Sequence, residues 1–148
     1  MEEISFIEIL KADYPRKEKA RLIAEGIRIA KGYSWVGLYD VKENEIALIA
    51  FAGRTEPTFT SFPKDKGLNG RAVERKQTII VNDTGTDEDY LLTFSNTESE
   101  IIVPVYNEKD EVAGTIDAES ERKNSFGGED ASFLEECAKA IKTLWNEQ

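Results

Sequence analysis

Residues 99–120 constrain the fold more than any other stretch, because they read as a β-hairpin with acids on one strand. Two runs rich in Ile and Val flank a turn at residues 107–110. Side chains alternate along a strand, which gives the second run two unlike faces. One face carries Ala113, Thr115, Asp117 and Glu119, and the other carries Gly114, Ile116 and Ala118. The small apolar face suits packing against a helix, so we expect the acidic face to meet water or a ligand.

The length and composition of the chain fit one domain, which we expect to span residues 1–148. The hydrophobic fraction of 40% is adequate for a globular core, and no segment has the roughly 20 apolar residues of a membrane span. The first ten residues contain three glutamates and lack the basic start of a signal peptide. These features predict a soluble, cytoplasmic protein.

Charge and residue usage exclude several classes of function. The net charge is −10, and the bases are scattered rather than grouped, which argues against nucleic acid or an anionic membrane as a partner. The chain has no histidine and one cysteine, Cys137, so Ser-His and Cys-His catalysis and cysteine-based zinc sites are excluded. We expect no cofactor and no metal; carboxylate, lysine or tyrosine remains for acid-base work.

Helical patterns lie near both ends of the chain. Apolar residues recur at helical spacing after Pro15 until Gly32 ends the pattern, and a second stripe runs from Phe133 to Trp145. Both suit helices packed on a sheet, and a dimer interface is the alternative. Cys137 lies within the second stripe, where we expect an inert buried thiol.

Residues 34–40 and 45–52 are predicted as the strands of a first hairpin. Trp35, Gly37 and Tyr39 share a face, so two aromatic rings flank a residue without a side chain. This arrangement predicts a shallow pocket with aromatic walls. Two core aromatics with a glycine for close packing are the alternative.

The middle of the chain contains weaker signals. Residues 58–62 read as a short strand, and residues 67–70 (GLNG) as a glycine turn that opens a short helix at Arg71. A helix start attracts anions, although a lone GxxG is more commonly only a turn.

A strand at residues 78–82 precedes a polar loop at residues 83–97, of the kind that covers binding sites. Its acids Asp87, Glu88 and Asp89 do not follow the order of a calcium-binding EF-hand, so we expect solvated charge.

The order of elements is an α+β pattern and resembles a GAF domain over nearly the whole chain, more narrowly its free methionine-(R)-sulfoxide reductase branch. The likeness is carried by residues 35–39 (WVGLY), 67–73 (GLNGRAV), 99–104 (SEIIVP) and 114–120 (GTIDAES), with Phe126 and Asp130. The resemblance implies a central antiparallel sheet, with the N- and C-terminal helices packed on one face and a ligand pocket on the other.

The resemblance also implies which residues bind a ligand. The matching positions of the reductases line the pocket for a free amino acid, and here they are Trp35, Tyr39, Glu100, Asp117 and Glu119. Glu119 stands where the branch usually has Asp. The pocket rim corresponds to Asn69, Tyr90 and Thr93. Carboxylates suit an ammonium group, and aromatic rings suit the apolar part of such a ligand.

One departure from the branch decides the functional hypothesis. The reductases use a cysteine near the position of Thr93 and another at the position of Asn69, and neither is present here. Thiol-based reduction of a sulfoxide requires a nucleophilic thiolate, usually with a resolving partner. We therefore predict a domain without catalytic residues that binds a free amino acid or methionine-sulfoxide-like ligand and does not reduce it. Crowding of the acids should raise at least one pKa.

Three alternatives remain at this point. A sensory GAF module for a nucleotide or another effector is one, although cyclic-nucleotide GAF domains carry an Asn-Lys pair where this chain has Glu119 and Ser120. An enzyme using Glu100, Asp117 or Glu119 as a base is the second. The third is a homodimerisation module that works through its terminal helices and has a vestigial pocket.

Overall fold

A computed structural model describes residues 5–90 and 96–146 of the chain. The helices are α1 (Phe6–Lys11), α2 (Arg16–Lys31), α3 (Gly67–Arg75) and α4 (Gly128–Ile141), with 3₁₀ turns at Thr84–Thr86 and Lys142–Asn146. The strands are β1 (Trp35–Val41), β2 (Glu45–Ala52), β3 (Ser61–Pro63), β4 (Ile79–Val81), β5 (Ser99–Tyr106) and β6 (Val112–Ser120). Within these described ranges, each helix is too short or too polar to cross a bilayer.

The strands form one antiparallel sheet in the order β3-β2-β1-β6-β5-β4. The predicted hairpin is its centre, since β5 and β6 pair from Ser99 opposite Ser120 to Tyr106 opposite Val112. The Asn107 N–H donates to the Glu111 carbonyl at 2.9 Å, and Asp110 has a φ of 58°, which closes the turn. The predicted α+β fold, with helices at both ends of the chain, is confirmed.

The terminal helices cover one face of the sheet, called here the helix face. Helix α2 ends where Gly32 adopts a left-handed φ of 71° and its N–H donates to the Arg28 carbonyl at 2.8 Å. Apolar side chains at helical spacing then meet alternate residues of the strands. The largest fully buried ones on this face are Ile23, Ile27, Leu38, Ile101, Ile116, Leu134, Ile141 and Leu144.

The end of the chain closes this core. The apolar stripe from Phe133 to Trp145 predicts a single helix. In the structure α4 ends at Ile141, and a 3₁₀ turn carries the rest of the stripe. The Trp145 indole is buried against β6, and its Nε1–H donates to the Tyr39 carbonyl at 3.1 Å. A Cβ on Gly114 would lie 2.0 Å from that nitrogen, so only glycine fits there. Cys137 is buried as expected, and burial raises the pKa of its thiol to about 12.

The other face of the sheet, called here the acid face, is covered by α3, and beside it the Thr55 carbonyl accepts from Trp35 Nε1 at 3.2 Å. Strand β3 begins at Ser61, later than the strand predicted at residues 58–62. Helix α3 begins at Gly67, earlier than the helix start predicted at Arg71. Gly67 has a left-handed φ of 72°, and a Cβ on Gly70 would lie 2.9 Å from the Lys64 carbonyl oxygen. The two glycines therefore bring α3 close to its preceding turn, which places Asn69 over the sheet.

Candidate functional site

Strand register brings three acids together on the acid face. Glu100 on β5 lies directly opposite Glu119 on β6, and Asp117 is two residues before Glu119 on the same face. Their side chains are nearly inaccessible, with exposures of 3%, 0% and 1% for Glu100, Glu119 and Asp117. One oxygen from each carboxylate lies within 4.8 Å of the others. This acid triad (Glu100, Asp117 and Glu119) confirms that the acids meet on one face rather than splaying into solvent.

Two apolar clusters flank the acid triad, which explains its burial. One cluster lies under α3 and contains Leu68, Ala72, Ile79, Val81 and Ile102. The other contains Trp35, Tyr39 and Ile46, and Phe62 of the edge strand β3 packs against it. The triad is therefore a polar strip within an otherwise apolar layer, where an ionised carboxylate is costly.

Burial and mutual repulsion shift the acidity of the triad. The pKa of Glu100 is raised well above its ordinary value, first by burial and then by the charges of Asp117 and Glu119. Burial raises the pKa of Asp117 to about 6, although hydrogen bonds with Glu100 and Asn69 act in the opposite direction. Protonated Glu100 thus acts as a donor to ionised Asp117. The prediction that crowding raises at least one pKa agrees with these directions.

Asn69 fixes the orientation of Asp117. Its Nδ2–H donates to Asp117 Oδ2 at 3.1 Å, and its Oδ1 accepts from Thr115 Oγ1 at 2.6 Å. All three side chains are buried, so the amide is an internal part of the site and not only its rim. The alternation of residues along β6 places Thr115 on the correct face. It does not predict the bridge from Thr115 through Asn69 to Asp117, because that bridge depends on where α3 crosses the sheet.

Glu119 has a separate partner that the sequence analysis missed. Thr97 Oγ1 donates to Glu119 Oε1 at 2.8 Å, and the Thr97 carbonyl accepts from Thr84 Oγ1 at 2.9 Å. Thr97 is buried at the end of the loop that precedes β5. A polar loop residue just before a strand carries no pattern that indicates burial, so the contact appears only in three dimensions.

The aromatic wall differs from the predicted shallow pocket. A Cβ on Gly37 would lie 2.3 Å from the Trp35 ring, so the indole itself fills the space above the glycine. Trp35 stacks on Phe51 with ring centroids 6.0 Å apart and tilts against Tyr39 at 6.5 Å. The alternative interpretation, in which Gly37 allows close packing of core aromatics, is correct for Trp35. The prediction of an open pocket beside Gly37 is wrong, because the Trp35 ring folds back over its own strand.

A small cavity lies instead on the other side of Tyr39. Its volume is about 20 Å³, room for roughly one water-sized molecule. It is lined by Tyr39, Phe59, Phe62, Gly67, Leu68, Asn69, Glu100 and Asp117. Of these, Tyr39, Asn69, Glu100 and Asp117 are predicted site residues. Phe59 and Phe62 were missed because the short strand signal at residues 58–62 does not indicate which part of the sheet these rings approach. A larger groove of about 760 Å³ opens outside α3 beside Glu43 and Glu74, away from the triad.

The loop acids are not all solvated charge. Arg71 on α3 donates to Asp87 at 2.9 and 2.5 Å and to Asp89 at 2.8 Å, and this pairing lowers the pKa of Asp87. The expectation is therefore wrong for Asp87, whose side chain is 16% exposed, because α3 presents a guanidinium where the loop passes. Asp89 is exposed as expected, although it also pairs with Arg71. Glu88 is exposed as expected.

The remaining rim residues have different outcomes. Tyr90 packs on the apolar cluster under α3 and is not among the residues that line the cavity. Thr93 lies outside the described residues.

Comparisons with known proteins identify the family to which the chain belongs. The sequence profile of the GAF domain family matches residues 20–144. GAF domain-containing protein A of Dictyostelium discoideum is 32% identical over 110 residues, which cover 74% of this chain and 68% of that protein. The free methionine-R-sulfoxide reductase of Saccharomyces cerevisiae is 31% identical over 116 residues, or 76% of this chain and 63% of that protein. The chain thus spans about two thirds of these relatives' lengths.

Solved structures extend the likeness to the fold. Free methionine-R-sulfoxide reductase from Neisseria meningitidis, in complex with its substrate, superimposes with a TM-score of 0.85 at 27% identity and covers 96% of this chain and 84% of its own. The type II enzyme from Thermoplasma acidophilum gives 0.80 at 30% identity, with coverages of 90% and 96%. The family profile and the related sequences agree: the chain belongs to the GAF domain family and is homologous to the free methionine-R-sulfoxide reductases.

Proposed function

We propose that this domain binds a free amino acid or a methionine-sulfoxide-like ligand through its ammonium group and does not reduce it. The observation that supports the proposal is the acid triad, which gathers negative charge beside Tyr39 in a buried layer. Related reductases carry the same fold, and the one from Neisseria meningitidis has been seen with its substrate.

Charge complementarity favours an ammonium ligand. In the described part of the chain, Glu100 and Asp117 have no ion pair with a lysine or arginine. An ammonium group offers three donors and a positive charge, so it satisfies oxygens that are costly to bury alone. A phosphate would meet the same carboxylates with like charge, which disfavours the nucleotide alternative.

Ligand entry requires a change in the lining of the cavity. The cavity is far smaller than an amino acid, and Phe59 and Phe62 are among the residues that line it. Phe59 is 46% exposed, so little packing energy holds its ring in place. Outward movement of this ring would join the cavity to solvent, while Tyr39 and Phe62 would contact the apolar part of the ligand.

The position of the only cysteine in the sequence supports the proposed absence of reduction. Cys137 is the single cysteine in the sequence, and it is buried in α4 against the helix face. Its raised pKa keeps it as a thiol at neutral pH, whereas attack on a sulfoxide needs a thiolate within reach. The sheet separates it from the acid triad.

A direct binding measurement tests the proposal. Calorimetry and thermal unfolding are compared for L-methionine, methionine sulfoxide and cyclic nucleotides with the whole chain. We expect amino acids to bind and to raise the unfolding temperature, and D117N to weaken binding about tenfold or more through loss of a charged acceptor. E136Q, which neutralises an exposed acid on α4, is the matched control. Stabilisation by a nucleotide alone would overturn the proposal.

A reductase assay tests the second half of the proposal. Methionine sulfoxide is incubated with the protein and dithiothreitol, and methionine is quantified. We expect no turnover above the protein-free control, and turnover that C137S abolishes would contradict the inference from the thiol's position.

The same proposal includes a cytoplasmic homodimer formed through the terminal helices. Ile7 on α1 and Ile29 on α2 support it, since their side chains are 65% and 66% exposed. Sedimentation velocity should report a dimer for the natural sequence and a shift toward monomer for I29E. A monomer at all concentrations would contradict this part.

A further inference from the structure

Asn69 connects two residues of one strand through its side-chain amide. Thr115 and Asp117 lie two residues apart on the same face of β6, a separation of about 7 Å along the strand. The amide spans this distance, because its Oδ1 accepts from Thr115 Oγ1 at 2.6 Å and its Nδ2–H donates to Asp117 Oδ2 at 3.1 Å. All three residues are at most 5% exposed, so protein atoms rather than water hold the amide in place.

The direction of these hydrogen bonds favours the ionised form of Asp117. An amide nitrogen only donates, and a charged carboxylate accepts such a bond more strongly than a neutral acid does. The Thr115 hydroxyl supplies the proton for the amide oxygen, so that oxygen is turned away from Asp117. A reversed amide would point its oxygen at Asp117 and would suit a protonated acid instead. The bridge therefore stabilises the negative charge of Asp117.

Neutral side-chain donors stabilise this charge. The titratable side chains that face Asp117 come from three strands, namely Tyr39 of β1, Glu100 of β5 and Glu119 of β6. In the part of the chain that the structure describes, Asp117 has no ion pair with a lysine or arginine. Helix α3 also carries Arg71, but its guanidinium pairs with the loop acids. Burial raises the pKa of Asp117 to about 6, and the hydrogen bonds with Glu100 and Asn69 keep it from rising further.

The packing of α3 holds Asn69 where the bridge needs it. Its neighbour Leu68 is buried in one apolar cluster with Ile102 of β5, the residue that lies opposite Asp117. A Cβ on Gly70 would lie 2.9 Å from the Lys64 carbonyl oxygen, so the helix start packs tightly on the preceding turn. The side chain that reaches β6 therefore comes from a well-packed helix.

We propose that Asn69 is a positioning residue that keeps Asp117 ionised at the wall of the small cavity and thereby sets the pH range in which the site accepts an ammonium ligand. The last step rests on the proposed function, whereas the effect on Asp117 does not. An ammonium group binds a charged acceptor best, and protonation of Asp117 removes that charge. Affinity for a free amino acid should rise with pH as Asp117 ionises, and loss of the amide should move this rise to higher pH.

Asp117 can be titrated in the whole protein without a ligand. Its side-chain carboxyl carbon is followed by NMR and assigned with D117N, in the natural sequence and in N69L, which keeps the size of the side chain without its polar atoms. We expect a midpoint of about 6 in the natural sequence and a rise of about one pH unit in N69L. T115V should raise the midpoint less, and E136Q, on the exposed side of α4, should leave it unchanged. A midpoint in N69L equal to or below that of the natural sequence would overturn the proposal.

A measurement on the natural sequence covers the case in which N69L does not fold. The side-chain amide resonances of Asn69 should move with pH and share the midpoint of Asp117, because the amide donates to that carboxylate. Amide resonances that stay constant while Asp117 titrates would also overturn the proposal.

Binding of L-methionine, measured by calorimetry between pH 5.5 and pH 8, tests the functional step. We expect N69L to bind about fivefold more weakly than the natural sequence at pH 6 and within about twofold of it at pH 8. An equal loss at every pH would indicate structural damage alone and would contradict the positioning role. If the natural sequence binds no methionine at any pH, the proposed function and this step fail together, while the NMR titration still decides whether Asn69 controls the charge of Asp117.

Discussion

Ile116 and Asp117 are neighbours on β6, yet one is buried in an apolar environment and the other in a polar one. Ile116 lies in the apolar core of the helix face, and Asp117 lies in the acid triad on the other face, both almost fully buried. The helix face gains free energy by burial of apolar area. On the acid face, burial of carboxylates costs free energy and offsets part of that stabilisation. The contrast shows that one strand can carry both stability and recognition, separated by the thickness of the sheet.

The largest effect should come from the helix face. I116A removes a fully buried side chain and should lower the free energy of unfolding by about 2–5 kcal/mol, measured by urea unfolding. I80A, on β4 with a side chain 37% exposed, is the matched control and should cost about 1 kcal/mol or less. Equal losses for the two variants would break the comparison.

The acid face should make stability depend on pH. Raised pKa values of Glu100 and Asp117 mean that the folded state holds protons more tightly, so their contribution is complete below about pH 4 and is lost as pH rises through about 6 and beyond. We expect the free energy of unfolding to fall by about 1–3 kcal/mol between pH 5 and pH 8. E100Q should flatten this slope. A slope of opposite sign would contradict the assignment.

Removal of the Asn69 bridge should cost less than the core cavity. N69A removes the buried partner of Thr115 Oγ1 and of Asp117 Oδ2, and we expect a loss of about 1–2 kcal/mol in urea unfolding. T115V removes one of the two contacts and serves as a partial control. A larger loss in T115V than in N69A would show that the amide does not organise this site.

The smallest effect should come from the Arg71 pairs at the edge of the acid face. R71A removes ion pairs with Asp87 and Asp89, and we expect a loss of about 1 kcal/mol that shrinks as salt increases. R71K keeps the charge but not the two-point contact with Asp87, so it should recover only part of the loss. Salt-independent unfolding differences would argue against an ionic origin.

Local periodicity was sufficient to predict the sheet and the faces of its central strand. Alternation along β6 assigned Thr115, Asp117 and Glu119 to one side, because a strand has a strict period of two. Helical spacing likewise assigned the core residues of α2. The Trp35 ring folding over Gly37 was not predictable, since a rotamer depends on the packed neighbours.

Contacts that join distant segments were also out of reach of the sequence. The pairing of Arg71 with Asp87 and the bridge from Asn69 to Asp117 depend on the path of α3 over the sheet. Family resemblance supplied four of the residues that line the cavity, namely Tyr39, Asn69, Glu100 and Asp117, but not the others and not the hydrogen bonds among them. Hydrophobic periodicity describes single helices and strands, whereas these side-chain hydrogen bonds depend on how the helices and strands pack against one another.

The bond from the Trp145 indole to the Tyr39 carbonyl links the two faces through the backbone of β1. The Tyr39 ring lines the small cavity on the acid face. Its backbone carbonyl accepts the hydrogen bond of Trp145, which packs in the apolar core of the helix face. Any displacement of β1 at Tyr39 would stretch this bond and change the surroundings of the indole. Emission from Trp145, isolated in a W35F background, is therefore an internal optical reporter of events on the far side of the sheet.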